Sequence, residues 1–80
     1  MKANVIVRLK AAVHDPQGET IKRALEGISF DKVRSVRQGK FFELSLDVSS
    51  KEEAKTMALQ IGERVLSNSV LEIFDVEVES

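Results

Sequence analysis

From residue 41 to residue 48 the chain alternates without a break. Phe42, Leu44, Leu46 and Val48 fall on one parity, and Phe41, Glu43, Ser45 and Asp47 on the other. Successive side chains of a strand point to opposite faces, so this period of two specifies a β-strand with one apolar face. That feature constrains the rest of the fold, because a lone strand of this kind needs neighbouring strands and a covering layer. Two further segments read the same way. Ala3, Val5, Val7 and Leu9 alternate with Asn4, Ile6, Arg8 and Lys10. In residues 70–79, Phe74, Val76 and Val78 face one way while Asp75, Glu77 and Glu79 face the other. Residues 33–38 are a fourth strand candidate, joined to the residue 41–48 strand by a tight turn at Gln38-Gly39-Lys40.

Two helices fit between the strands. Asp15-Pro16 places an N-cap before a proline at the first helical position. Ile21, Ala24, Leu25 and Ile28 then follow at the spacing of one helical face, with Gly27 near the end. Ser50 with Glu53, or Ser49 with Glu52, fits a capping box. Ala54, Met57, Ala58, Ile61 and Val65 form the stripe of that second helix, and Asn68 ends it. The order βαββαβ predicts an α+β fold: one domain over residues 1–80, a four-stranded antiparallel sheet, and two helices on one face in the ferredoxin-like arrangement.

The alternation leaves a remainder. Ile6, Val36, Phe41, Leu71 and Ile73 are apolar but have the wrong parity for the helix-covered face. They are scattered exposed residues, or a β-bulge resets the parity of the last strand, or they form a surface for self-association. Size bears on the choice. A chain of 80 residues buries only about 60% of the surface its unfolded form exposes. It has no cysteine, so neither disulfides nor a thiolate metal site can reinforce a small core, and oligomerisation is a natural source of further burial.

The residues that could carry chemistry are few. His14 is the only histidine, so the chain supplies neither a Cys-His pair nor a His-based metal site. Glycines 18, 27, 39 and 62 are too far apart for a phosphate loop or a dinucleotide fingerprint. Glu52-Glu53 opens a helix, where acids favour the dipole, and Asp75, Glu77 and Glu79 share a solvated strand face. No catalytic residue, cofactor site or metal site is expected. With 12 basic and 13 acidic residues the net charge is −1, which argues against a nucleic-acid partner. RNA-recognition modules share the element order and Gly39-Lys40-Phe41-Phe42 is similar to their stacking strand, but Phe41 and Phe42 point to opposite faces and Glu43 and Asp47 would repel phosphate. No apolar run approaches the roughly 20 residues of a membrane span, and the N-terminus lacks a signal-peptide core, so a cytoplasmic location is expected.

Two loop segments stand out as contacts. Gly18 lies in the first turn of a helix, where propensity disfavours it. Asp15-Pro16-Gln17-Gly18 is either a type I turn or a place of close approach for an anionic or acidic partner. Lys10, Arg37 and Lys40 are either a basic contact cluster or solubilising residues at loop ends.

The ordered set Val13-His14-Asp15-Pro16-Gln17-Gly18, Ala24-Leu25 with Gly27 and Phe30, Val36-Arg37-Gln38-Gly39-Lys40 before Phe42-Glu43-Leu44, and Asn68-Ser69-Val70-Leu71-Glu72 resembles the PurS family along essentially the whole chain. That family often has proline where Ser69 stands and an acidic residue where Ile73 stands. The resemblance implies a non-catalytic small subunit of phosphoribosylformylglycinamidine (FGAM) synthase in de novo purine synthesis. It implies a PurQ-like glutaminase and a PurL-like synthetase as partners, with ATP and magnesium on the synthetase, ammonia passing between the two, and self-association to a dimer or tetramer. Lys10, Asp15, Gly18, Arg37, Gly39 and Lys40 would then meet the large subunits, and Ile6, Val36, Phe41, Leu71 and Ile73 would pair the protomers. The alternative from another class is a stand-alone ACT-like regulatory dimer, which shares the βαββαβ order and binds small metabolites.

Overall fold

Three strands, not four, form the sheet. In the computed structural model, which describes residues 1–79, β1 (Lys2–Leu9) lies between β2 (Gly39–Ser45) and β3 (Glu72–Glu79), antiparallel to both. The central strand is the one most buried on its inner parity: Ala3, Val5 and Val7 lose essentially all their exposure. Val5 stands opposite Phe42 and Val76, and Ala3 opposite Leu44 and Val78. The ladder to β3 runs unbroken from Lys2 opposite Glu79 to Leu9 opposite Glu72. No bulge therefore resets its parity, and Ile73 does point away from the core. The ladder to β2 is prolonged at Met1, whose carbonyl accepts from the Leu46 N–H at 2.8 Å.

The helix α2 (Lys51–Ile61) starts where the capping signal placed it, with the Ser50 hydroxyl accepting from the Glu53 N–H at 3.1 Å. It packs on β1 and β3. Ala54 and Ala58 are both fully buried, and Ala58 packs in one cluster with Ala3, Val5 and Val7 of β1. A π-helical turn over Gly62–Leu66 continues it. The Gly62 carbonyl accepts both the Ser67 N–H and the Ser67 hydroxyl, each at 2.9 Å. Gly62 itself lies under the Phe74 ring, which passes 2.5 Å from where a Cβ would stand. The wider turn also corrects the stripe read from the sequence: Val65 leaves the α2 register and is 76% exposed.

The fourth strand is a correction. Residues 33–38 pair with no strand, and the sheet order is β2-β1-β3. Their two valines, Val33 and Val36, are three residues apart and so do not alternate. The Gln38 N–H, which a ladder would need, donates instead to the Asp15 carboxylate at 2.7 Å. The Val36 carbonyl lies directly against Gly18. The segment thus returns to the start of α1 (Pro16–Gly27) instead of pairing beside β2. Gly39-Lys40 accordingly opens β2 and does not form a hairpin turn.

The expectation of two helices on one sheet face fails with it. The helix α1 buries only Gly18, while Ile21 and Ile28, from its apolar stripe, remain 39% and 66% exposed. Its C-terminus closes at Ser29, the residue with positive φ (75°), where the Phe30 N–H reaches the Leu25 carbonyl at 2.9 Å and the Ser29 N–H the Glu26 carbonyl at 3.2 Å. This is a Schellman closure with serine in the left-handed position that glycine usually takes. Residues 16–38 therefore form an arm, a helix with an extended return. The radius of gyration is 15.9 Å and the extents are 48 × 26 × 14 Å, against a radius of about 12 Å for a compact chain of this length.

Candidate partner-contact site

Most of the loop residues picked out by the sequence converge at one end of the sheet, where β1 ends, β2 begins and β3 begins. Asp15 organises this end. It is almost completely buried and uses both carboxylate oxygens. One accepts the Gly18 N–H at 2.8 Å, which is the N-cap bond that starts α1. The other accepts the Gln38 N–H at 2.7 Å. These backbone donors, Gln38 first and Gly18 second, hold the Asp15 carboxyl below its ordinary range, and the Arg37 charge adds to the effect. Gly18 has to be glycine for a different reason from turn geometry. A Cβ there would run into the Val36 carbonyl oxygen and come within 2.8 Å of the Asp15 carboxylate. What comes close to Gly18 is the chain's own return segment, and not an anionic or acidic partner.

Around this clasp lie the basic residues. The Arg37 guanidinium donates to the Lys10 carbonyl at 2.9 Å, and the Lys10 N–H donates to the Leu71 carbonyl at the same distance. These bonds join the return segment, the β1–α1 loop and the approach to β3. Lys40 faces inward, opposite Val7 of β1, and its ammonium lies 3.3 Å from the Glu72 carboxylate. Glu72 is the more enclosed partner. Its carboxylate also accepts the Asn68 N–H at 2.8 Å. That backbone bond, with Lys40 as the second support, holds the Glu72 carboxyl below its ordinary range. Gly39 stands opposite Arg8. Between them is a cleft of about 340 Å³ lined by Arg8, Leu9, Ala11, Arg37, Gln38, Gly39 and Ile73. It carries two guanidiniums and an apolar floor, a surface suited to contact.

Ile6, Phe41 and Ile73 do share the outer sheet face. Ile6 is directly opposite Phe41, and Ile73 is opposite Arg8, the next outward residue of β1. Phe41 is 59% exposed. Charged pairs frame them: Arg8 with Asp75 at 2.6 Å and Lys2 with Glu43 at 3.1 Å. Leu71, also exposed, lies just before β3. Val36 does not join this patch as a strand residue, since it belongs to the arm. Gln38, Glu72 and Asn68 are not among the contact residues expected from the sequence, although all three stand in segments that carry the family resemblance. Asn68 reads locally as a helix end, yet its side chain accepts the Val70 N–H at 3.0 Å and its carbonyl the Glu72 N–H at 2.7 Å, building the turn into β3. The bonds of Gln38 to Asp15 and of Glu72 to Lys40 cross the fold, so local spacing carries no sign of those two.

Among the described residues no group of three or more His, Cys, Asp or Glu side chains is placed to hold a metal ion. Among the described residues no helix is long and apolar enough to cross a membrane.

Over residues 2–80 the chain matches the sequence model of the family described as PurS, phosphoribosylformylglycinamidine (FGAM) synthase. The phosphoribosylformylglycinamidine synthase subunit PurS of Bacillus subtilis is 36% identical to it, over 98% of this chain and 92% of that protein. Among solved structures, PurS of Methanocaldococcus jannaschii superposes with a TM-score of 0.87 at 32% identity, covering 98% of this chain and 94% of that one. A chain in the structure described as PurLQS from Thermotoga maritima gives a TM-score of 0.86 at 33% identity, covering 95% and 93%.

Proposed function

This chain belongs to the PurS family, and from that premise we propose that it serves FGAM synthase as a non-catalytic subunit that bridges a PurQ-like glutaminase and a PurL-like synthetase. The observation that carries the reading is the match, along nearly the whole length of both, to a chain solved as part of an assembly described as PurLQS. The glutaminase releases ammonia from glutamine and the synthetase uses it, with ATP and magnesium on its own chain. This chain assists the passage of ammonia by holding the two in place, in the cytoplasm.

The clasp end supports a contact role. Lys10, Asp15, Gly18, Arg37, Gly39 and Lys40 join three separate stretches of chain into one rigid edge, with Arg37 exposed beside the cleft. Preorganised surfaces lose less conformational entropy on binding. This edge meets the large subunits. The outer-face set Ile6, Phe41 and Ile73, with Leu71, pairs protomers, and Val36 contributes from the arm, in a dimer or tetramer. Residues 1–80 act as one unit in this role.

Purification of the tagged chain from its native extract tests the reading. Recovery of a glutaminase and an ATP-dependent synthetase in one complex is the expected result. Tight calorimetric binding of an amino acid or nucleotide by the isolated chain, with neither protein recovered, would replace this reading with the ACT-like one.

A further inference from the structure

Asn4 is the odd residue of the outer sheet face. It stands between Glu43 of β2 and Glu77 of β3 and is only 9% exposed. Its Nδ2 donates to the Glu79 carboxylate at 2.7 Å. An ionised carboxylate accepts and does not donate, so this bond fixes which way the amide points. The Oδ1 is then left buried with no hydrogen-bond partner among the described residues. A buried acceptor without a donor costs stability, and few persist in folded proteins without a cause. A β-branched residue would suit this strand position without that cost.

The surroundings say what kind of donor is missing. Three carboxylates, Glu43, Glu77 and Glu79, share this end of the sheet with one ammonium, that of Lys2. The bond to Glu43, with the charges of Glu43 and Glu79 behind it, raises the Lys2 ammonium above its ordinary value. Among the described residues no salt bridge holds Glu77. The excess of negative charge calls for a cation, and the orphaned carbonyl calls for an N–H donor. A metal ion does not fit, since no three acidic groups are placed to hold one among the described residues. A guanidinium meets both needs, because its planar fork donates to a carbonyl along one edge and to a carboxylate along another.

We propose that Asn4, with Glu77 and Glu79, forms a receptor for an arginine side chain of one of the two large subunits. The inference rests on the bridging role in the proposed function and adds a second contact to the one at the clasp end. The two ends of the outer face, roughly 20 Å apart along β1, have opposite character. Arg8 and Arg37 line the cleft at one end, and the carboxylates gather at the other. A subunit that bridges two partners needs two contacts, and opposite charges steer a different partner to each. A second copy offers less, since it would bring to this face only Lys2 and Arg8, both already held by carboxylates of their own chain. The way in is short. The helix α2 packs on the inner face, so what closes off the Asn4 Oδ1 is the layer of neighbouring outer side chains. The Lys2–Glu43 pair in that layer is more than half exposed on both sides, and such pairs give way at little cost.

Asn4→Leu keeps the size of the side chain and removes its acceptor. The isolated variant should have a urea midpoint equal to or above that of the unaltered chain. Its assembly with the matching glutaminase and synthetase, followed by sedimentation, should weaken roughly tenfold. Glu77→Gln should weaken assembly about threefold or more without moving the midpoint. Asp31→Asn removes the same charge from an exposed position on the arm and should leave assembly unchanged. Phenylglyoxal, which modifies arginine, identifies the occupant. By mass spectrometry, one arginine of a large subunit should be protected in the complex with the unaltered chain and reactive in the complex saturated with Asn4→Leu. Undiminished assembly of Asn4→Leu, an equal loss with Asp31→Asn, or the absence of such an arginine overturns the receptor. So does a lowered midpoint for Asn4→Leu joined to full assembly of Glu77→Gln. Failure of the unaltered chain to assemble with either large subunit refutes the bridging role itself, whereas variants that assemble as well as the unaltered chain refute only the receptor.

Discussion

Gly18→Ala and Gly27→Ala make the same chemical change in the same helix, and the structure gives them opposite signs. In a helix interior the change from glycine to alanine stabilises by about 1 kcal/mol. At Gly27 a Cβ meets nothing within 4 Å, so that gain should appear largely intact. At Gly18 the new methyl would lie on the Val36 carbonyl oxygen and 2.8 Å from the Asp15 carboxylate. The atom in the way is backbone, and it is held there by the bond from Gln38 to Asp15. Forcing a methylene-sized group into a closed site costs ~1–3 kcal/mol. Displacing the return segment also breaks the clasp, so the upper part of that range applies, and the propensity gain offsets about 1 kcal/mol of it. The net expectation is a loss of about 1–2 kcal/mol for Gly18→Ala and a gain of up to about 1 kcal/mol for Gly27→Ala. Urea unfolding followed by circular dichroism measures both, at one chain concentration because the protein self-associates in this account. If Gly18→Ala matched or exceeded the unaltered chain in stability, the return segment would not be clasped against α1 and the argument would fail.

Further expectations follow from the same contacts. Ser29→Gly should stabilise the chain by about 1 kcal/mol, since serine holds a positive φ of 75° that glycine adopts freely; an unchanged urea midpoint would count against the Schellman closure. Asp15 and Glu72 have carboxyls held below their ordinary values. Their stabilisation is fully present above the unfolded carboxylate pKa of about 4 and is lost as the pH falls from there through their lower folded values. Asp15→Asn should therefore be less stable than the unaltered chain at neutral pH and lose stability less steeply below about pH 4, as read from urea midpoints across that range. Arg37→Glu should cost the isolated fold about 1 kcal/mol, because it loses the bond to the Lys10 carbonyl and sets a negative charge near Asp15, while weakening assembly with the two large subunits by roughly tenfold. Sedimentation of the mixture measures the second effect, and unchanged assembly would remove Arg37 from the contact.

What was legible in the sequence was mostly local. Alternation located all three strands, and Asp15 and Ser50 located both helix starts, because a cap bond spans only three residues. The inner-face parity of Val5, Val7, Phe42, Leu44 and Val76 was also readable, since parity in an unbroken ladder needs no knowledge of partners. The fourth strand and the placement of α1 were not readable, and for one reason. Both depend on the second oxygen of Asp15, which binds a residue 23 positions away. A carboxylate at an N-cap satisfies the local rule with one oxygen, and nothing nearby reveals what the other will hold. The turn at Gly62 likewise hides its cause, because the Phe74 ring above it comes from the last strand. At the contact site the residue types were visible but not their geometry. Lys40 reads as a loop-end cation, yet it lies on the inner parity of β2 and pairs with Glu72 across β1.

The central claim is that this chain contributes assembly and no chemistry of its own to FGAM synthase. The most direct test is glutamine-dependent amidine formation by the matching glutaminase and synthetase, assayed with and without this chain. The account predicts that activity depends on its presence, that it saturates at a fixed ratio of chains, and that the chain alone produces none. Equal glutamine-dependent activity in its absence would contradict the account.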